Sequence, residues 1–187
     1  MYKAYGVPVG VDQLPHVELT REIARRFNFL YREVFPIPDP LLTGVPKLLG
    51  IDGRKMSKSY DNSIYISDRG KILLEKVSAM FTDPQRIRKS DPGNPDICNV
   101  FAFHDLYSQP EMVQELGAGC RKATIGCTEC KKIIARRVAE AMGPVHERMD
   151  YYTAHIDEIS GIIAAGNKKA TQIARQTMEE VRAAIKI

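Results

Sequence analysis

The hydrophobic pattern changes character along the chain. Val7-Pro8-Val9-Gly10 reads as a short apolar strand closed by a turn. From Asp12 to about Phe29, residues Val17, Leu19, Ile23, Phe27 and Leu30 recur at mixed three- and four-residue steps, while Arg21, Arg25 and Arg26 face elsewhere. That spacing predicts an amphipathic helix, with Pro15 tolerated in its opening turn. A strand entering a helix through a glycine turn is half of a βαβ unit. Residues 36–47 hold four prolines (Pro36, Pro38, Pro40 and Pro46), which predicts an irregular crossing. Leu48–Ile51 is expected as a short strand and Ser63–Ile66 as an extended run. A helix follows, capped by Ser67 or Asp68 and carrying Ile72, Leu73, Val77 and Met80.

Residues 82–98, rich in Pro, Asp and Gly, read as a connector. From about Cys127 the pattern is helical. Val138, Met142, Val145, Met149, Tyr152, Ile156, Ile159 and Ile163 step by four and three residues in turn, the spacing of a packing seam. Gly143-Pro144 predicts a kink or break within it, and Gly166 its end. Lys168 to Ile185 is expected as a last helix with Ile173, Thr177, Val181 and Ala184 on one face. The expected fold is α/β over residues 1–82 and all-α over 83–187, mainly helical overall.

Composition narrows this picture only a little. With 187 residues, 44% hydrophobic and 27% charged, the chain can bury one substantial core or two small ones. No apolar run reaches the roughly 18 residues of a membrane span. The first residues lack the charged-then-apolar order of a secretory signal. A cytoplasmic protein with no membrane partner is therefore expected. The net charge of +4 permits a nucleic-acid partner without demanding one. Four cysteines in such a chain point to metal ligands or free thiols rather than disulfides.

The densest chemistry lies in Gly53–Ser63, GRKMSKSYDNS. Lysine suits a mobile phosphate contact because it is a compact charge on a flexible stem, and neighbouring hydroxyls and backbone N–H groups add neutral donors. An arbitrary K-x-x-K is most often a solvated basic turn. Lys55-Met56-Ser57-Lys58-Ser59, however, matches letter for letter the KMSKS signature of class I aminoacyl-tRNA synthetases. Pro8-Val9-Gly10-Val11-Asp12-Gln13, followed by His16-Val17-Glu18-Leu19-Thr20-Arg21 and Phe27-Asn28, resembles a stretch of the tryptophanyl-tRNA synthetase family. The resemblance spans essentially the whole chain and is strongest over residues 7–83.

That resemblance implies a partial Rossmann-like catalytic domain with its KMSKS loop over residues 1–82, and a cysteine-cluster segment with a helical tRNA-binding domain over 83–187. The implied activity is that of a tryptophan–tRNA ligase. Tryptophan and ATP, with magnesium as counter-ion, give an adenylate and pyrophosphate, and the aminoacyl group passes to tRNA(Trp). Lys58, and more loosely Lys55, would stabilise charge on the departing pyrophosphate. Gly10, Val11 (through its backbone), Asp12, Leu48, Lys55, Met56, Ser57, Lys58 and Ser59 are the implied ATP contacts, and Asp12 and Gln13 the implied substrate contacts. Asp12 is also a natural helix cap, Leu48 a natural core residue and His16 a natural structural histidine. None of His16, His104, His146 and His155 stands in a HIGH-type string. The chain is accordingly expected to begin inside the catalytic fold, to be a C-terminal part that forms no adenylate alone, and to act as a homodimer at full length. The alternative is a free-standing cysteine-cluster module that binds RNA and retains synthetase motifs.

Cys98, Cys120, Cys127 and Cys130 form C-x21-C-x6-C-x2-C. The last two, one helical turn apart, should share a face, and a helix N-terminus with Arg121, Lys122, Lys131 and Lys132 nearby should lower their thiol pKa values. Structural zinc usually takes two close pairs, whereas one pair and two single cysteines suit a [4Fe–4S] cluster as well or better. A subset of bacterial tryptophanyl-tRNA synthetases has a similar four-cysteine motif, which implies [4Fe–4S], with zinc as the alternative. The basic stretch with Arg136 and Arg137 is either a tRNA-facing surface or a solvated face.

Overall fold

A computed structural model describes residues 1–42 and 48–186. In chain order the elements are β1 (Gly6–Val9), α1 (Leu14–Leu30), β2 (Asp39–Leu42), α2 (Gly70–Ala79), α3 (Asn99–Tyr107), α4 (Pro110–Arg121), α5 (Cys127–Ala154) and α6 (Ile156–Ile185). The architecture is mainly helical with a small parallel sheet. Two compact units form, Met1–Gly44 with Ala154–Ile187, and Val45–Thr153. Residue 82 lies within the second of these, so the units cut the chain elsewhere than at the expected role boundary.

The first unit completes the βαβ half seen in the sequence. β1 pairs with β2 in parallel, Gly6 opposite Asp39 and Val9 opposite Leu42. The proline-rich crossing thus contains a strand that was expected to be irregular. A two-stranded sheet has only edges, where proline's missing N–H is tolerated. Pro46 lies outside the described residues. The return from α1 is organised by Asn28. Its Oδ1 accepts from the N–H groups of Val34 and Phe35 at 3.0 Å each, and its Nδ2 donates to the Phe35 carbonyl at 2.7 Å. Phe27 packs its ring on Tyr31 and Phe35. Of the predicted apolar face of α1, Val17 is buried, whereas Leu19, Ile23 and Leu30 are exposed. Lys3 pairs with Glu180 of α6.

The second unit carries the larger core: Leu73 and Val77 of α2, Met80, Val100 and Phe103 of α3, and Ile134, Ala135 and Val138 of α5. Met56, Cys98 and Cys130 pack against that same core. Both chemistry-bearing segments of this unit are thus anchored in one apolar cluster, whose burial is the main stabilising term. The expected strand at Leu48–Ile51 is only an isolated antiparallel bridge between Leu49 and Lys55. Ser63–Ile66 forms no strand. It is pinned by polar contacts, with the Lys76 ammonium donating to the Ser63 carbonyl and to Asp68 Oδ2 at 2.9 and 2.6 Å.

Neither Ser67 nor Asp68 caps α2. Arg69 holds the cap position without a side-chain bond, while the Asp68 carboxylate is taken up by the Tyr65 N–H and Lys76. α5 continues through Pro144, and the chain leaves the helix at His155 rather than at Gly166. A glycine costs a helix interior only about 1 kcal/mol relative to alanine, too little to end one this long. Along the predicted seam Val138 is buried and Met142 packs on the core, whereas Val145, Met149 and Tyr152 are exposed. Among the described residues, no helix is long and apolar enough to cross a membrane.

Candidate functional site

The KMSKS residues lie on a loop held from its backbone. The Gly50 N–H donates to the Arg54 carbonyl at 2.8 Å, closing a tight turn in which Gly53 has a φ of 79°. Only glycine adopts that conformation without strain. The Ser57 N–H donates to Asn62 Oδ1 at 2.8 Å, and Ser57 Oγ lies 2.8 Å from Ser59 Oγ and accepts from the Ser59 N–H at 3.3 Å. A single 3₁₀ turn, Lys58–Tyr60, follows and ends at left-handed Asp61. Arg54 reaches back to Asp52 and stacks its guanidinium over the Tyr60 ring at 4.8 Å. The Asp52 carboxyl is held down to about 2, first by the Asn62 carboxamide and then by the Arg54 N–H. Met56 points into the core while Lys55 and Lys58 are exposed, and among the described residues neither ammonium has an acidic partner. Leu48 packs on the core, as its apolar character alone predicts.

The expected nucleotide and substrate contacts at the end of β1 belong to the first unit. Gly10 is extended, and a Cβ there would stand 2.7 Å from Asp12 Oδ1. Asp12 caps no helix: neither the 3₁₀ turn Val11–Gln13 nor α1 has a side-chain cap. Its exposed carboxylate accepts from Gln13 Nε2 at 3.2 Å. Val11 and His16 point to solvent.

All four cysteines line one small cavity, together with Arg86, Pro95, Phe101 and Ile125. Cys98 stands at the N-cap of α3, Cys120 in the last turn of α4, and Cys127 and Cys130 in the first turn of α5. The short loop between α4 and α5 turns through left-handed Ala123, and the N–H groups of Thr124 and Ile125 fold back onto the Gly119 carbonyl.

At Cys130 the expectation of a lowered thiol pKa is reversed. Burial pushes Cys98, Cys120 and Cys130 up, Cys130 to about 12, and the charges of neighbouring sulfurs add to the rise. Backbone N–H groups of Phe101, Val100 and Asp83 oppose it at Cys98. Two of the basic neighbours are occupied elsewhere, Arg121 by Asp96 and Lys131 by the Ser78 carbonyl. The cation that does reach sulfur is Arg86, whose Nη1 lies 3.8 Å from both Cys120 Sγ and Cys127 Sγ. His104, fully buried and kept neutral by that burial, sets Nε2 3.3 Å from Cys130 Sγ and Nδ1 2.8 Å from Ser108 Oγ. Among the described residues, no three His, Cys, Asp or Glu side chains are gathered for a single metal ion.

Sequence reasoning passed over Arg86, His104 and Asn62. Only the last carried a local signal, since it lies within the motif segment itself.

The family of tRNA synthetases class I (W and Y) matches residues 1–143. A tryptophan–tRNA ligase of Aquifex aeolicus is 50% identical over 188 residues, covering 100% of this chain and 48% of its own length. One from Thermotoga maritima is 47% identical, with 100% and 57% covered. A crystal structure of tryptophanyl-tRNA synthetase from Campylobacter jejuni, complexed with ADP and tryptophan, superposes with a TM-score of 0.78 at 29% identity, over 100% of this chain and 58% of that one. The chain spans about half the length of the curated relatives it matches. With the motif loop, the parallel βαβ unit and these matches in agreement, the chain belongs to the family of tRNA synthetases class I (W and Y).

Proposed function

We propose that these residues serve a cytoplasmic, homodimeric tryptophan–tRNA ligase that joins tryptophan to ATP and passes it to tRNA(Trp). The observation that carries this reading is the pair of exposed ammonium groups, Lys55 and Lys58, with no acidic partner among the described residues, on a loop whose backbone is tied down on both sides of Met56. When the tryptophan carboxylate attacks the α-phosphorus, the Pα–O bond to pyrophosphate breaks and negative charge gathers on the leaving group. Two mobile cations near that charge stabilise the transition state more than the bound substrate, which is the condition for acceleration. Asp12 and Gln13 would bind the ribose or the amino acid through their exposed polar ends. No HIGH-type string stands within these 187 residues, so we propose that they do not form the adenylate by themselves. The test is tryptophan-dependent exchange of pyrophosphate into ATP by the full-length ligase, with tyrosine as the control amino acid. Exchange driven equally by tyrosine would overturn the assignment.

For the cysteines we propose a [4Fe–4S] cluster, with zinc as the alternative. What supports the reading is the donor type: four thiols line one cavity, three backbone N–H groups face Cys98, and a guanidinium faces Cys120 and Cys127, while among the described residues no three of the thiols are gathered for one ion. When bound, the cluster would supply a four-point cross-link between α3, α4 and α5, a structural role in which it meets no substrate. A broad visible absorption band, with iron and sulfide in the anaerobically purified protein, is expected. One zinc per chain and no band would reject it.

A free-standing RNA-binding module is the second reading. It rests on the basic stretch 119–137, of which Arg121, Lys131 and Arg137 are engaged by Asp96, the Ser78 carbonyl and Glu140.

A further inference from the structure

Asn62 is 2% exposed and uses every polar atom of its side chain on the loop that carries Lys55 and Lys58. Oδ1 accepts from the Ser57 N–H at 2.8 Å. Nδ2 donates to Asp52 Oδ1 at 2.8 Å and to the Lys55 carbonyl at 3.2 Å. Its backbone carbonyl accepts from the Ile51 N–H at 2.8 Å. One carboxamide thereby grips the chain just before and just after Met56, whose side chain is seated in the core.

The grip is itself braced from behind. A Cβ on Gly50 would overlap the Asn62 carboxamide and stand 2.8 Å from the Asn62 backbone carbonyl oxygen, so only glycine fits there. Gly50 is fixed in turn by Asn99, whose buried Nδ2 donates to its carbonyl at 2.9 Å. Aspartate at position 62 would have the same shape, yet it would offer oxygen where the Lys55 carbonyl and the Asp52 carboxylate both need a donor.

We infer that Asn62 is a positioning residue for adenylate formation: it sets the backbone from which Lys55 and Lys58 reach the pyrophosphate, and Gly50 is the space that lets it do so. This rests on the phosphate role proposed above for the two lysines. A residue that merely filled a turn would affect stability alone. A positioning residue acts on the turnover of a folded enzyme, because misplacing catalytic groups by about 1 Å costs up to roughly a hundredfold in rate.

The experiment has two arms. In the 187-residue protein, Asn62→Ala should hasten tryptic cleavage after Lys55 and Lys58 by about tenfold or more while cleavage within α6 is unchanged. In the full-length ligase, Asn62→Ala and Gly50→Ala should each lower kcat for pyrophosphate exchange by about tenfold or more, with the KM for tryptophan within about twofold. The double variant should fall no further than the worse single one, as for residues that act as a unit. Unchanged cleavage in the Asn62 variant, or an unchanged kcat in either folded variant, overturns the inference. Additive losses overturn it too. If the unsubstituted ligase shows no tryptophan-dependent exchange, the functional reading fails, and the cleavage arm still decides whether Asn62 holds the loop.

Discussion

Gly93 approaches Cys120 so closely that a Cβ on the glycine would stand 2.7 Å from the sulfur. The Gly93 N–H also donates to the Cys120 carbonyl at 3.0 Å, so the contact is built into the backbone. The same Cβ would lie 3.1 Å from Cδ of Arg86, the residue whose guanidinium faces two of the sulfurs. Gly93→Ala should therefore displace Cys120 and Arg86 together and, with the cluster proposed above, lower metal content per chain while the core of α2, α3 and α5 stays folded. Metal analysis beside far-ultraviolet circular dichroism checks this, and full metal content in a folded variant contradicts it.

A second prediction follows from burial of the thiols. Each cysteine must lose its proton to ligate a metal, and the raised thiols of Cys98, Cys120 and Cys130 oppose that loss. Metal binding should thus release protons and tighten as pH rises, a trend that continues across the accessible range because Cys130 is pushed up to about 12. Chelator competition at two pH values reads the slope. In the metal-free protein Cys130 should alkylate more slowly than an unburied thiol, since the thiolate is the reactive form.

The third concerns Asp52, whose carboxyl is lowered from 3.8 to about 2, chiefly by Asn62. A depressed carboxyl contributes stability above its unfolded value and loses it as pH falls through the folded one. The clamp on the KMSKS loop should therefore loosen between about pH 4 and pH 2 and not before. In Asn62→Ala the Asp52 midpoint, followed by carboxyl chemical shift, should move back up towards the unperturbed value. A midpoint that stays near 2 would assign the depression to Arg54 instead.

Much of this was legible in the sequence where local chemistry decides structure. Apolar residues at helical spacing foretold α1, α2 and the helical stretch from Cys127, and the KMSKS string marked the loop. The exposed Leu19, Ile23 and Leu30 show the limit of such reading. Periodicity says which face of a helix is apolar, not whether anything covers it. The helix break at His155 and the strand around Pro40 were missed because single-residue propensities, worth about 1 kcal/mol, yield to longer-range pairing. All four cysteines line one cavity, but Arg86 and His104 approach their sulfurs from separate segments, and nothing in one-dimensional order links them.

In the proposed function, Lys58 acts on the departing pyrophosphate. Lys58→Ala in the full-length ligase should slow adenylate formation by a factor on the order of 10²–10³, the loss of about 2.7–4 kcal/mol found for other charge-stabilising groups. Tryptophan binding, measured separately at equilibrium, should change little. Equal loss of tryptophan affinity and of rate would contradict the account.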